Sequence, residues 1–196
     1  GFVVLTRIIY IYGTVAFATY TIANRLTNFM FAIADGISMA MGTMIAQNVG
    51  AENYKRAKQI AERTMIVNVI IATTAVVVIG VLRVPIFRIF LDDKAVIKES
   101  AIVWKYFLTS VPFFNGIFVV VNNVFRASGH TKKSMVLGIL RLWGLRIPLS
   151  YLLGYLILGS SIGVFLGMGL SNVIAGLFGF IWFLRGTWMR RIIEEE

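Results

Sequence analysis

Cysteine is absent from the chain, and histidine occurs once, at His130. A chain without cysteine cannot form a disulfide, a thiolate metal site or a cysteine nucleophile. Acidic residues are also few, with 9 Asp and Glu against 19 Lys and Arg. Because an enzyme needs a nucleophile–base pair or a metal, these shortages argue against an enzyme and predict no cofactor and no metal site.

Charged residues are scarce, at 14% of the chain, whereas about 25% is usual in soluble domains. Hydrophobic residues reach 58%, and 18 glycines add to the apolar share. A soluble fold of 196 residues has too little interior to bury so much apolar surface. The composition therefore predicts an integral membrane protein in contact with membrane lipid.

The formal net charge of +10 does not indicate a nucleic-acid-binding protein. A basic nucleic-acid site forms a patch on a domain, often with interleaved aromatic residues. Here the charges lie in short groups between apolar runs, as they do in the loops of membrane proteins. No nucleic-acid partner is expected.

Apolar runs predict the fold class, which is an all-α, polytopic membrane helix bundle, because open strand edges cannot be satisfied in lipid. Residues 1–12 are too few to span a bilayer and are expected to be a partial helix. Five complete helices are expected at about residues 16–47, 64–82, 101–125, 133–158 and 162–185, followed by a tail at 187–196. The start inside an apolar run, without Met, predicts a fragment.

Basic groups on alternate loops predict the orientation in the membrane. They lie in Glu52–Arg63, in Arg126–Lys133 and after Arg185. By the positive-inside rule these loops and the C-terminal tail are cytoplasmic. We expect Glu52–Arg63 to be a short interfacial helix or a solvated loop, and Pro85–Leu91 an interfacial turn at the outer face.

A polar stripe follows the helix predicted at 16–47. Seven polar or small residues fall on one arc about 120° wide, namely Thr21, Asn24, Thr27, Asn28, Asp35, Ser38 and Gly42. Asp35 is the only acid within an apolar run and lies near the predicted midplane. Such a carboxylate indicates a proton, cation or cationic-substrate site. The alternative is a structural ion pair with Arg141 or Arg146.

Further polar residues extend the candidate pathway to the next helices. Asn115 and Asn122 share an arc of one helix, where they either line the pathway or join helices. Arg141 and Arg146 point about 140° apart on an ideal helix, so only one is expected to face the same cavity. The pathway candidates are Asp35, Asn24, Asn28, Thr27, Ser38, Asn115, Asn122 and Arg146. Gly163-x-x-x-Gly167 is typical of close helix packing.

Four segments resemble motifs of multidrug and toxin extrusion (MATE) transporters. Gln47–Ala57 is similar to the GQxxGAxxxxRA segment, Phe125–Thr131 to the RGxGxT loop, Arg146–Tyr151 to RIPLAY, and Gly163–Asn172 to GVWLGMALSN. The resemblance implies the C-terminal six-helix lobe of a twelve-helix antiporter in a prokaryotic cell membrane. The missing N-terminal lobe would then be the main partner.

The resemblance also implies an activity. Such an antiporter exports organic cations or drugs by alternating access against H⁺ or Na⁺. Some members carry acids on the seventh and tenth helices. Here the run Ala101–Phe125 has Asn115 and Asn122 instead, and Asp35 lies on the eighth helix, which favours the branch with its coupling acid in the N-terminal lobe.

Two other functions stay open on the sequence. A lipid-linked oligosaccharide or lipid flippase of the same superfamily would need cavity-facing cations for a pyrophosphate, for which Arg141 and Arg146 are available. A structural membrane subunit without transport would have its polar stripe sealed by packing.

Overall fold

The computed structural model describes residues 2–189, and within that range every regular element is helical. This confirms the all-α class. Helix α1, Phe2–Tyr10, precedes five segments that are long and apolar enough to cross a membrane. We number these segments as the first to fifth spans: Thr14–Gly50 (α2), Tyr54–Val81 (α3), Lys94–Ala127, Thr131–Ile157, and Ser161–Leu184 (α9).

The third span changes helix type along its length. It runs through α5 (Lys94–Tyr106), a 3₁₀ turn (Leu108–Ser110), a π-helix (Phe113–Phe118) and α6 (Val119–Ala127). Pro112 precedes the π-helix and has no N–H to donate, which breaks the α-helical ladder. The faces of α5 and α6 are therefore not in a single α-helical register.

The fourth span contains two π-helical segments. It is built from α7 (Thr131–Ile139), a π-helix (Leu140–Arg146), α8 (Ile147–Tyr151) and a second π-helix (Leu152–Ile157). Pro148 lies between them, in α8. In a π-helix the hydrogen bonds join residues five apart, so side chains five apart come to the same side.

The helix expected at the membrane surface is part of a longer one. Helix α3 begins at Tyr54, inside the segment Glu52–Arg63, and continues without interruption to Val81. The chain turns before it, at Glu52, which has φ 58°. Ala57 and Ala61 are fully buried, so the first turns of α3 pack against the bundle. The expectation of a separate short helix or a loop was wrong, because these residues belong to a continuous spanning helix.

The expected outer turn at Pro85–Leu91 is also helical. It forms α4, Arg83–Phe90, with Pro85 in the first turn, where a missing N–H costs little. Phe87 is fully buried and packs with Ile22 and Val96. The third span then begins at Lys94, earlier than the hydrophobic run, because the Asp93 carboxylate accepts hydrogen bonds from Ala95 N at 2.7 Å and Val96 N at 3.2 Å.

Helix α9 lies between the third and fourth spans and contacts both through glycines. A Cβ at Gly167 would lie 2.6 Å from the backbone N of Ser150, and a Cβ at Gly163 would overlap the carbonyl of Leu153. On another side of α9, a Cβ at Gly176 would meet the carbonyl of Phe113 at 3.0 Å. Backbones therefore touch backbones, as the GxxxG spacing predicts.

The segment after α9 packs back onto the bundle. Trp188 is fully buried, its ring stacks on Phe183 at 5.3 Å, and its Nε1 donates to the Phe183 carbonyl at 3.1 Å. Trp188 thus holds the start of the expected tail against α9. The rest of the expected cytoplasmic tail, residues 190–196, lies outside the described residues.

Candidate functional site

Asp35 lies near the middle of the 37-residue α2 and is half-buried. Its Oδ1 accepts a hydrogen bond of 3.4 Å from Nδ2 of Asn123, which belongs to α6. This contact joins the polar stripe of the first span to the third span. Within the described residues Asp35 makes no other hydrogen bond and no ion pair.

Asp35 opens onto a cavity of about 220 Å³, which we call the Asp35 cavity. It lies between α2, the third span and the fourth span, and it is lined by Phe31, Asp35, Phe114, Phe118, Val119, Asn122, Asn123, Arg126 and Arg141. Asn122 accepts a hydrogen bond from the Ser134 hydroxyl of the fourth span. A single acid faces this cavity together with two arginines and two amides. The carboxylate of Asp35 is therefore the one group of this lining that could bind a proton or a small cation.

The alternative of a structural ion pair does not hold for the described residues. Arg141 lines the Asp35 cavity, yet it forms no ion pair with Asp35, and neither does Arg146. The described ion pairs join Lys58 to Glu62 at 3.8 Å and Arg88 to Asp92 at 3.2 Å, both on exposed helix ends. The carboxylate of Asp35 is thus available to a ligand.

A second cavity of about 220 Å³ adjoins the first, and we call it the arginine cavity. Its lining consists of Asn24, Thr27, Asn28, Phe31, Phe107, Phe114, Arg141, Arg146 and Asn172. The two cavities share Phe31, Phe114 and Arg141. The stripe residues Asn24, Thr27 and Asn28 therefore face one cavity together, as expected from their spacing.

Both arginines face the arginine cavity, which contradicts the expectation that only one would. They are five residues apart across the π-helix Leu140–Arg146. An α-helix rotates about 140° over five residues, whereas the i+5 hydrogen bonds of a π-helix bring such residues to the same side. The expectation was wrong because it assumed α-helical rotation.

Arg141 is held by a chain of hydrogen bonds through three spans. Its Nη2 donates to Oδ1 of Asn172 at 3.2 Å, and Nδ2 of Asn172 donates to the Ser110 hydroxyl at 2.9 Å. The Ser110 hydroxyl donates to the Phe107 carbonyl at 2.6 Å. The guanidinium also lies 3.7 Å from the ring centre of Phe114. Its orientation is therefore fixed before any ligand arrives.

Arg146 is 4% exposed and lies with its guanidinium 5.3 Å from the ring centre of Phe107. Its Nε is buried and has no hydrogen-bond partner in the described part of the chain. A buried charge without an acceptor costs several kcal/mol in a membrane protein. Such groups often mark a binding pathway.

Two of the predicted pathway residues lie elsewhere. Ser38 is fully buried, faces α3 and accepts a hydrogen bond of 3.1 Å from Asn68 Nδ2. Asn115 is fully buried and lines a separate apolar groove of about 200 Å³ between α2 and α3. It shares no cavity with Asn122, because the π-helix Phe113–Phe118 displaces it from the arc expected for an α-helix. Neither Ser38 nor Asn115 lines the Asp35 cavity or the arginine cavity.

Sequence reasoning missed three asparagines. Asn123 contacts Asp35, Asn172 holds Arg141, and Asn68 joins Ser38. All three are amides inside apolar runs, and polar residues in such runs usually seek partners on other helices. That signal was available for each of them, but it did not identify the partner.

Comparisons with known proteins identify what the chain resembles. The family model described as MatE matches residues 1–152. The "Probable multidrug resistance protein NorM" of Thermotoga maritima is 25% identical over 194 residues, which are 98% of this chain and 41% of that relative. The chain thus spans less than half of the length of this curated relative.

Solved structures share the fold. The MATE transporter VcmN of Vibrio cholerae in the bent form matches with a TM-score of 0.85 and 19% identity, over 94% of this chain and 41% of that one. The MATE transporter ClbM in complex with Rb⁺ matches with a TM-score of 0.87 and 21% identity, over 98% and 45%. The chain therefore has the fold of about one lobe of such transporters.

Proposed function

The chain belongs to the MatE family, and on that premise we propose that it forms one lobe of a transporter that exports drugs against H⁺ or Na⁺. The family consists of transporters and not of enzymes. The observation that carries the proposal is Asp35, an acid near the middle of a spanning helix that faces a cavity and forms no ion pair in the described chain. Such a group can bind and release a cation.

The proposed partner is a second lobe. The relatives that match nearly all of this chain are more than twice its length. A missing lobe would close the Asp35 cavity and the arginine cavity from the other side, and relative movement of the two lobes would open them alternately to each face of the membrane. We assign this chain to the C-terminal lobe on the order of its four motifs.

The proposed location is a prokaryotic cell membrane, with the C-terminus on the cytoplasmic side. Basic residues gather at the start of α3 and at the start of the fourth span, where Lys55, Arg56, Lys132 and Lys133 lie. Two spans, the second and the third, lie between the two basic groups, so both groups lie on the same side of the membrane. The positive-inside rule supports a cytoplasmic position for both.

The family resemblance adds organic cations and drugs as the proposed cargo. Asp35 is the only acid that lines either cavity in the described chain, so a cationic group would be attracted there. A purely structural subunit is less well supported, because six of the eight candidate pathway residues line open cavities.

The test uses the full-length protein that contains this chain, reconstituted into proteoliposomes with a fluorescent drug inside. We expect a gradient of H⁺ or Na⁺ to accelerate efflux, and Asp35→Asn to reduce that acceleration at least about tenfold, equivalent to about 1.4 kcal/mol. Asp92→Asn is the matched control, because Asp92 is exposed at the end of α4. Equal gradient dependence in Asp35→Asn and wild type would remove Asp35 from the coupling mechanism.

A further inference from the structure

The arginine cavity carries positive charge that nothing in the described chain neutralises. Arg141 and Arg146 both line it, and no acidic residue does. Arg146 is 96% buried, since its exposed fraction is 4%, and its Nε has no hydrogen-bond partner in the described chain. Nε of Arg141 is buried and unpaired as well.

The neighbouring cavity does not compensate this charge. Asp35 lines it, but so does Arg126, and Asp35 forms no ion pair with any arginine in the described residues. Taken together, the two cavities hold three arginines and one aspartate. A cation that entered next to Arg141 and Arg146 would meet repulsion that the low dielectric of a membrane protein strengthens.

We propose that Arg141 and Arg146 bind the anionic group, a carboxylate or a phosphate, of an amphiphilic substrate. The inference rests on the proposed function and adds an anionic group to its cargo: that group would lie at the arginine cavity, whereas a cation would bind at Asp35 in the neighbouring cavity. Guanidinium is planar and offers paired N–H donors that match both oxyanions. The apolar body of the substrate would lie against Phe31, Phe107 and Phe114, which line the same cavity.

Both guanidiniums are held in position by neighbouring side chains, as in a preorganised anion site. Asn172 holds Nη2 of Arg141, and the ring of Phe114 supports its guanidinium face at 3.7 Å. The ring of Phe107 lies 5.3 Å from the guanidinium of Arg146. Arg141 is thus held by one N–H group and by the face of its guanidinium, and Arg146 by a ring contact. Other N–H groups of both side chains remain for a ligand.

The experiment measures equilibrium binding to the detergent-solubilised full-length protein with two fluorescent probes of opposite charge. The probes are 1-naphthylacetate and 1-naphthylmethylammonium, which share one aromatic body. We expect the anion to bind at least tenfold more tightly than the cation. Arg141→Gln and Arg146→Gln should each weaken anion binding by tenfold or more, while Arg25→Gln, which removes an exposed charge from α2, should leave it unchanged.

Two further variants keep the test independent of folding. Arg141→Lys and Arg146→Lys retain the charge but lose the planar pair of donors. We expect both to bind the anion with an affinity between wild type and the Gln variants, at an unchanged melting temperature. Equal anion affinity in wild type, the Gln variants and the Lys variants would overturn the proposal.

Additional arms separate the possible sources of the anion. Inorganic phosphate and dispersed phosphatidylglycerol are each used to displace 1-naphthylacetate. Displacement by phosphatidylglycerol alone identifies a lipid headgroup as the source, and displacement by inorganic phosphate identifies a small free anion. Tighter binding of the cation than of the anion would overturn the inference and leave the proposed function standing. Absence of gradient-driven efflux in the proteoliposome assay would overturn the proposed function.

Discussion

Arg141 and Arg146 lie five residues apart and face the same cavity, because the helix between them is a π-helix. In an α-helix the same two side chains would diverge by about 140°. The π-helix brings both guanidiniums to one cavity, and Arg141 also lines the neighbouring cavity with Asp35. The positive charge of the arginine cavity is thus a consequence of local helix type.

Asn115 tests whether an unpaired amide in the apolar groove between α2 and α3 destabilises the protein. Both atoms of its amide are buried without a hydrogen-bond partner in the described chain. Removing an unsatisfied buried amide relieves a desolvation cost of about 1–3 kcal/mol, so Asn115→Leu should raise the melting temperature. Asn68→Leu is the comparison: Oδ1 of Asn68 is also unpaired, but its Nδ2 donates to Ser38 and to the Ala34 carbonyl, so we expect a smaller gain than for Asn115→Leu. A lower melting temperature for Asn115→Leu would mean that the amide has a partner in the intact protein.

Gly167 tests the close packing of α9 against the fourth span. A Cβ there would lie 2.6 Å from the backbone N of Ser150, and a helix backbone cannot yield as a side chain can. We expect Gly167→Ala to destabilise the lobe by about 1–3 kcal/mol, measured by thermal unfolding in detergent. Gly138→Ala serves as control, because a Cβ at Gly138 meets nothing within 4 Å. Similar melting temperatures for the two variants would contradict this packing.

His130 lies in the loop between the third and fourth spans. From its pKa we predict that the free energy of unfolding depends on pH. Burial lowers the pKa of its imidazole below the ordinary value of 6.5, and Lys133 lowers it further. The unfolded chain therefore binds a proton more readily than the folded one, and stability falls as pH falls below about 6.5. His130→Gln should lose less stability than wild type between pH 7.5 and 5.5, as thermal unfolding would measure. An identical pH profile for both proteins would exclude His130 as a source of this dependence.

Much of the fold follows from the sequence. The apolar runs predict all five spans, because in lipid only a helix lets a single segment hydrogen-bond all of its own backbone N–H and C=O groups. Helix ends differ where a local interaction, absent from hydropathy, extends a helix. Asp93 caps the third span before its hydrophobic run begins, and Ala57 and Ala61 pack the polar start of α3 against the bundle.

The candidate site could be predicted only in part, because its geometry depends on helix type. α2 is a regular helix, and its spacing places Asn24, Thr27 and Asn28 in one cavity. The third and fourth spans contain π-helices, which alter the rotation per residue, so Asn115 leaves the pathway and Arg141 joins it. Pro112 and Pro148 predict that the helical backbone hydrogen bonds are interrupted. They do not predict how far the side chains that follow are rotated around the helix.

Alternating access of the two cavities is the central claim, and the accessibility of Asn28 tests it most directly. Because residues 1–196 contain no cysteine, Asn28→Cys introduces the only thiol within them. The full-length protein, with any cysteine elsewhere replaced, is placed in membranes and treated with a charged maleimide from one side at a time.

Asn28 lines the arginine cavity, whereas the neighbouring Phe29 lines the apolar groove, about 100° away around α2, and is 72% exposed. We predict that Asn28→Cys reacts from one side under an inward ion gradient and from the other side when the gradient is reversed. Phe29→Cys should react slowly in both conditions, because a thiol in lipid is not ionised. Reaction of Asn28→Cys from the same side, whatever the gradient, would contradict the account.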